Sequence, residues 1–462
     1  MPFQSPLASA LAQPTQPLFW RRRARQLAWA VTVAFGTGLS ALGSAQAQSL
    51  QSLYEAARDY DATYLSAKSL AESAQYKAAQ VDALLLPSAS LSGNLGHTYV
   101  DLPAGPARNS NSAGVGVSGR QPLFNRANGL TVDQAKKSLE LSRSDLETAE
   151  QDLIVRVAQA YFDVLGAQDT VSTTRASKAA ISEQLASAKR NFEVGTATIT
   201  DTREAQARFD LATAQEIAAD NDLLTKRITL DQLVGRNGVT PLQLAVPVAL
   251  PAVAPANVDT WVNNSNTVHP TVRKALLALD IAKLETDKAR AANLPTVDAV
   301  ASLNSSRLTG SSSSGLPGLT NSATIGVQLS MPLYAGNSIQ NRVKETLVLE
   351  TKSANDLEAA RRGVAQATRQ AYYGVQSGTA QVKALEAAES SSQLALEATQ
   401  LGYKVGVRVN LDVLNAQTQL FSTRRDLAKA RYDVLLGGLK LRQASGQLKP
   451  EDVSAVSQLL VK

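Results

Sequence analysis

Two short stretches, FEVGTATITDTREAQ at 192–206 and YKVGVRVNLDVLNAQ at 403–417, each place an aspartate six residues after a Val-Gly pair, with Ala-Gln four residues beyond it. The chemistry open to such a carboxylate is recognition rather than bond-making. Gly195 and Gly406 suit the left-handed residue that ends a helix. Asp201 and Asp412 suit the start of the next helix, where a carboxylate meets free backbone N–H groups and the positive end of the helix dipole. That role leaves Tyr403, Arg408 and the run Asp412-Val413-Leu414-Asn415 unexplained. Catalytic groups are otherwise sparse. The chain has no cysteine, which excludes thiol nucleophiles, thiolate metal sites, disulfides and the lipid anchor of bacterial lipoproteins. Its two histidines are His97, in a strand candidate, and His269, beside Pro270 in a linker. GVGVSG at 114–119 lacks the Gly-Lys-Ser/Thr that phosphate binding needs. The acids scatter over helix faces, so neither an enzyme nor a cofactor is expected.

The elements that position these residues start from an export signal. A basic RRRAR at 21–25 precedes an apolar run, and Ala45-Gln46-Ala47 is a small-x-small cleavage site, so 1–47 reads as a signal peptide. Residues 1–47 hold four arginines and no acid, so the net charge of +6 on the 462-residue chain falls to +2 without them. The basic balance therefore does not argue for nucleic acid. No later apolar run reaches the roughly 18 residues of a spanning helix.

Behind the signal the chain repeats itself at an offset of 211. Gln159-Ala160-Tyr161 falls on Gln370-Ala371-Tyr372, Val194-Gly195 on Val405-Gly406, and Asp201 on Asp412. VGVSGRQPLF at 115–124 matches IGVQLSMPLY at 325–334. Each half opens with a helix, then two strands of period-two alternation, expected at 88–100 and 112–124 and at 295–305 and 322–332. Leu91, Leu95, Val115 and Val117 share the apolar parity, as do Leu303, Ile325, Val327 and Leu329. The strand charges Arg120 and Asp298 fall on the polar parity, whereas His97 falls on the apolar one near a strand end. A long helical hairpin follows, 127–235 in the first repeat (48–235) and 337–446 in the second (269–446). Residues 127–193 contain no proline and would make about 100 Å of helix. Ile181, Leu185, Ala188 and Phe192 have coiled-coil seam spacing. The shorter return arm and a single N-terminal helix at 51–85 would together match the long helix. Residues 236–268 read as an interdomain belt and 447–462 as a tail.

Four strands cannot close a membrane barrel, and an open edge in lipid leaves backbone groups unsatisfied. If these strands span a membrane, several chains must share one barrel, with the helices prolonging it as a tube. The other reading of the hairpins is a sheet with one face on a soluble core. The duplicated order, the PLF and PLY junctions, AYF at 160–162 and the two VG…D turns resemble the TolC family of outer-membrane efflux ducts, over essentially the whole mature chain. The resemblance implies a mainly α fold with a small β part: a homotrimer with a twelve-stranded outer-membrane barrel continued by a twelve-helix periplasmic α-barrel. The absence of Cys resembles the unlipidated branch. By position, Asp412 matches an aspartate ring that narrows the tunnel, and Asn415 stands where TolC has a second aspartate. Tyr403 and Arg408 match residues that latch the inner helix pair to the outer through Thr200 and Asp201. Such a charge-assisted bond is worth about 1–3 kcal/mol. Val194-Gly195-Thr196 and Val405-Gly406-Val407 resemble the tip loops that meet a periplasmic adaptor (membrane fusion) protein. The implied partners are that adaptor, an inner-membrane ABC or RND-type transporter and outer-membrane lipid. The rival reading is a soluble periplasmic coiled-coil scaffold with a small β-domain.

Overall fold

The computed structural model describes residues 48–101, 103, 106–245, 250–311 and 316–460; the signal peptide expected at 1–47 lies outside them. The first repeat holds α1 (Leu50–Tyr60), α2 (Ala62–Asp82), β1 (Ser88–Val100), β2 (Arg108–Phe124), α3 (Arg126–Glu193) and α4 (Ile199–Val234). The second holds α5 (Val258–Val268), α6 (Pro270–Ala291), β3 (Thr296–Gly310), β4 (Gly318–Ser330), α7 (Ser338–Lys404) and α8 (Asn410–Ala444), and α9 (Pro450–Ser457) follows.

The single helix expected at 51–85 is two. Asp61 closes α1 and opens α2, where its Oδ1 accepts from the Tyr64 backbone N–H at 2.8 Å. Arg156 on α3 grips the same carboxylate with two bonds of 2.9 and 3.0 Å and holds it below the ordinary aspartate range. The second repeat breaks similarly at His269, whose Nδ1 accepts from Thr271 N–H at 3.1 Å, so His269 is a helix cap and not a linker residue. The expected belt itself contains α5. The belt is pinned by the equivalent tyrosines of the two repeats. The hydroxyl of Tyr161 donates to Leu242 O at 2.8 Å, and that of Tyr372 donates to Ala256 O.

Helices α2 and α4 both pack on α3, and α1 touches α3, α4 and α9. The main core lies where these elements meet, from Leu50, Leu53 and Tyr54 through Leu153, Val157 and Tyr161 to Leu230, Leu435 and Val453. Smaller apolar clusters continue along the hairpins, one holding Ile181, Leu185 and Leu414 with Ala188, Ala205 and Ala212, another Leu396, Val413 and Leu420.

All four strands form one antiparallel sheet in chain order, and the β2–β3 pairing joins the repeats. Leu91 pairs with Val117, Val117 with Leu303 and Leu303 with Ala323, so the apolar residues form one continuous face. That face is bare in the single chain: Leu95 is 89 % and Ile325 90 % exposed. Strands β2 and β3 run longer than alternation alone suggested, and β3 brings Arg307 onto the apolar side. It lies near the strand's far end, where a long charged side chain reaches water. His97 shares a 2.6 Å hydrogen bond with its register partner Asn111 on that same side. Among the described residues no helix is long and apolar enough to cross a membrane.

Candidate gate at the helical tip

The two turns are built alike, bond for bond. In the first, the Asn191 carbonyl accepts from the N–H groups of Thr196 (2.8 Å) and Ala197 (3.1 Å), and Phe192 O accepts from Gly195 N–H (3.0 Å). In the second, Gly402 O accepts from Val407 (2.9 Å) and Arg408 (3.2 Å), and Tyr403 O accepts from Gly406 (3.1 Å). Gly195 and Gly406 sit at φ 78° and 79°, the left-handed region that a side chain disfavours. Around them Val194, Val405 and Val407 are exposed, with Thr196 and both glycines beside them.

The helix starts differ. Thr198 and Asp201 cap α4 reciprocally: Thr198 Oγ1 accepts from Asp201 N–H, and Asp201 Oδ2 accepts from both the Thr198 N–H (2.9 Å) and its hydroxyl (2.7 Å). Thr200 is exposed beside it. In α8 the capping position is Val409, which has no side-chain oxygen, so only one of the two reciprocal side-chain bonds exists. Asp412 Oδ2 accepts a 3.4 Å bond from Val409 N–H and lies 3.6 Å from Arg408 Nη1. Asp201 thus caps its own helix through Oδ2, while Asp412 is held more loosely. The stem of Arg408 lies over Gly402, where a β-carbon would come within 2.8 Å of its Cγ.

Within one chain, the structure joins the hairpin α7/α8 to α3/α4 through residues that sequence reasoning largely missed. Asn191 Nδ2 donates to the Tyr403 hydroxyl at 3.1 Å, and Gln184 bonds Asn410. Arg208 donates to Asn415 Oδ1 at 3.0 Å, so an α4 arginine engages the second residue of the expected constriction. Leu414 is fully buried among Ile181, Leu185, Ala188, Ala205 and Ala212, while Val413 turns the other way onto Leu396 and Leu420. The Asp-Val-Leu-Asn run therefore divides one aliphatic residue to each hairpin. Phe192, expected to extend the seam, is exposed. Asp201 and Arg408, expected as latch partners, are each engaged locally and do not meet through any of these bonds. The signal for Gln184 and Asn191 was their place beside the apolar seam of α3; Arg208 carried none.

Higher on the outer hairpin, Lys178 and Arg175 reach Glu216 at 2.8 and 3.3 Å and hold its carboxyl below the usual glutamate value. The arrangement offers hydrogen bonds and apolar contacts that can break and re-form.

Comparisons with known proteins agree on what this architecture resembles. The family described as outer membrane efflux protein matches residues 53–236 and 261–447. The outer membrane protein TolC of Vibrio cholerae is 31 % identical over 428 residues, covering 92 % of this chain and 96 % of that protein. The alkaline protease secretion protein AprF of Pseudomonas aeruginosa is 32 % identical over 392 residues, covering 81 % of this chain and 79 % of AprF. The crystal structure of the outer membrane protein VceC from Vibrio cholerae superposes with a TM-score of 0.73, covering 86 % of this chain and 96 % of that one at 17 % identity, a likeness of fold.

Proposed function

Because the chain belongs to the outer membrane efflux protein family, we infer that it is an outer-membrane exit duct for efflux or type I secretion, and not an enzyme. One observation carries the reading: an open four-stranded sheet with a bare apolar face, continued directly into helices about 100 Å long. The bare face is suited to lipid and the opposite face to a watery lumen. A soluble scaffold would leave that apolar face in water, which counts against the rival reading.

In this reading three chains close a twelve-stranded barrel, and the six helical hairpins form the periplasmic tube. An N-terminal signal of residues 1–47 is removed on export. An inner-membrane ABC or RND-type pump delivers cargo through a periplasmic adaptor, which docks on the exposed Val194-Gly195-Thr196 and Val405-Gly406-Val407 turns. The tunnel narrows at Asp412 and Asn415. Since Arg208 holds Asn415, this entrance carries less negative charge than a double aspartate ring would. Tyr403 ties the inner hairpin to the outer through Asn191 in the same chain. Arg408 reaches Thr200 and Asp201 across the boundary with a neighbouring chain; its loose 3.6 Å contact with Asp412 leaves it able to do so.

Single-channel conductance of the detergent-purified protein in a planar bilayer tests this. The expected wild-type conductance is small and rises several-fold in Arg408→Ser/Tyr403→Phe. Conductance unchanged by the mutations keeps the duct and sinks the latch. Absence of channels from well-folded protein sinks the duct.

A further inference from the structure

The lumen-side face of the sheet carries its charge unevenly. Its middle is a row of hydroxyls in direct register across all four strands: Ser90 opposite Ser118, Ser118 opposite Ser302, and Ser302 opposite Thr324. One register step toward the helices stands Arg120, opposite Ser88 on β1 and Val300 on β3. These residues line a shallow basin of about 250 Å³. Arg120 Nη2 donates to Asp298 Oδ2 across the β2–β3 pair at 2.6 Å.

The two members of this ion pair are not equally placed. The Asp298 side chain is 6 % exposed, whereas that of Arg120 is 60 % exposed. The carboxylate lies within the wall, with its second oxygen lacking a hydrogen-bond partner among the described residues, and the guanidinium stands toward solvent. A solute at the face therefore meets the positive end of the pair. Among the described strand residues, Asp298 is the only acid on the polar parity, and the other charge there is Arg108 near the far end of the sheet. No exposed carboxylate of the strands offsets Arg120. A guanidinium presents a planar fork of donors to an anion, and a channel with low-dielectric walls focuses such a field.

We propose that Arg120, oriented by Asp298 and flanked by the Ser90, Ser118, Ser302 and Thr324 hydroxyls, is an anion-binding and anion-selecting element of the barrel lumen, recognising chloride, sulfate and like inorganic anions. The assignment rests on the duct reading above, in which closure of the barrel repeats Arg120 as a ring around the lumen. Asp298 acts as a positioning residue: it fixes the guanidinium without cancelling it at the lumen surface.

The test is the reversal potential of single channels under a KCl gradient, with sulfate added in a second series. The variants are Arg120→Lys, Arg120→Gln and the pair Arg120→Gln/Asp298→Asn. All are measured also with Asp412→Asn, so that the tip carboxylate does not mask the barrel. Because Arg120→Gln alone strands a buried carboxylate and can fail to fold, the paired variant is decisive: it leaves the net charge unchanged. The expected result is a several-fold shift of permeability from chloride toward potassium in the paired variant, together with loss of sulfate block. Arg120→Lys is expected to retain most of the anion preference. A wild-type permeability ratio in the paired variant, in both backgrounds, overturns the proposal while leaving the duct standing. Channels absent from the wild type overturn the duct reading and this inference with it.

Discussion

At the residue scale, the seam between the repeats holds a half-buried acid. Asp169 on α3 accepts a 2.6 Å hydrogen bond from the hydroxyl of Tyr432 on α8, and the Tyr432 ring stacks on Phe162. Burial raises the Asp169 carboxyl above the ordinary aspartate value, and the Tyr432 bond and nearby Arg431 offset this only in part. A raised folded value fixes the sign. The contribution to stability is fully present below the unfolded value of about 4 and is lost as pH rises through the folded one. At neutral pH the ionised carboxylate is therefore a cost. Asp169→Asn keeps an acceptor for Tyr432 without the charge, so it should melt higher than wild type at pH 7, and the advantage should vanish near pH 4. Circular-dichroism melting at both pH values checks this; an equal gain at the two would assign the effect to packing.

At the element scale, the turns at the tip are decided by backbone conformation. Apart from the adjoining residues, no described atom would lie within 4 Å of a β-carbon at Gly195 or Gly406, so alanine there meets strain from φ alone. The expected cost is about 1 kcal/mol in each turn. Because the turns end long hairpins far from the main core, that cost should appear as local opening rather than global unfolding. Hydrogen exchange in Gly406→Ala should accelerate at residues 402–410 with little change in melting temperature. A large fall in melting temperature would mean that the tip is coupled to the core. The one-sided cap at Val409 belongs to the same scale. It loosens α8 where α4 is firmly closed, and that difference between otherwise equivalent turns supports α8 as the moving partner.

At the scale of the whole molecule, the sheet has two faces with opposite solvents. Thr324 and Ile325 are neighbours near the middle of β4 and lie on opposite sides. Ile325→Arg should cost about 2–4 kcal/mol at the bilayer midplane, whereas Thr324→Arg enters the lumen and should be tolerated. Heat-modifiable mobility on SDS gels reads barrel assembly in each. If Thr324→Arg abolishes assembly and Ile325→Arg does not, the two faces have been assigned in reverse.

Periodicity is local, and it determined most of the architecture: the duplication, the strand parities, the proline-free helices and both VG…D turns could be read residue by residue. Chain length and the missing closure of four strands pointed from there to an assembly of several copies. What only the tertiary structure decided depends on residues far apart in sequence. Arg156 meets Asp61 at the break between α1 and α2, Arg208 meets Asn415, and Leu414 fills the α3/α4 hairpin. Arg120 and Asp298 shared a parity in the sequence, but parity does not say which of the two is buried. Pairing across the β2–β3 junction, where the repeats meet, places the carboxylate in the wall and the guanidinium at the surface. Local spacing encodes an element, whereas the environment of a charge is set by everything packed around it.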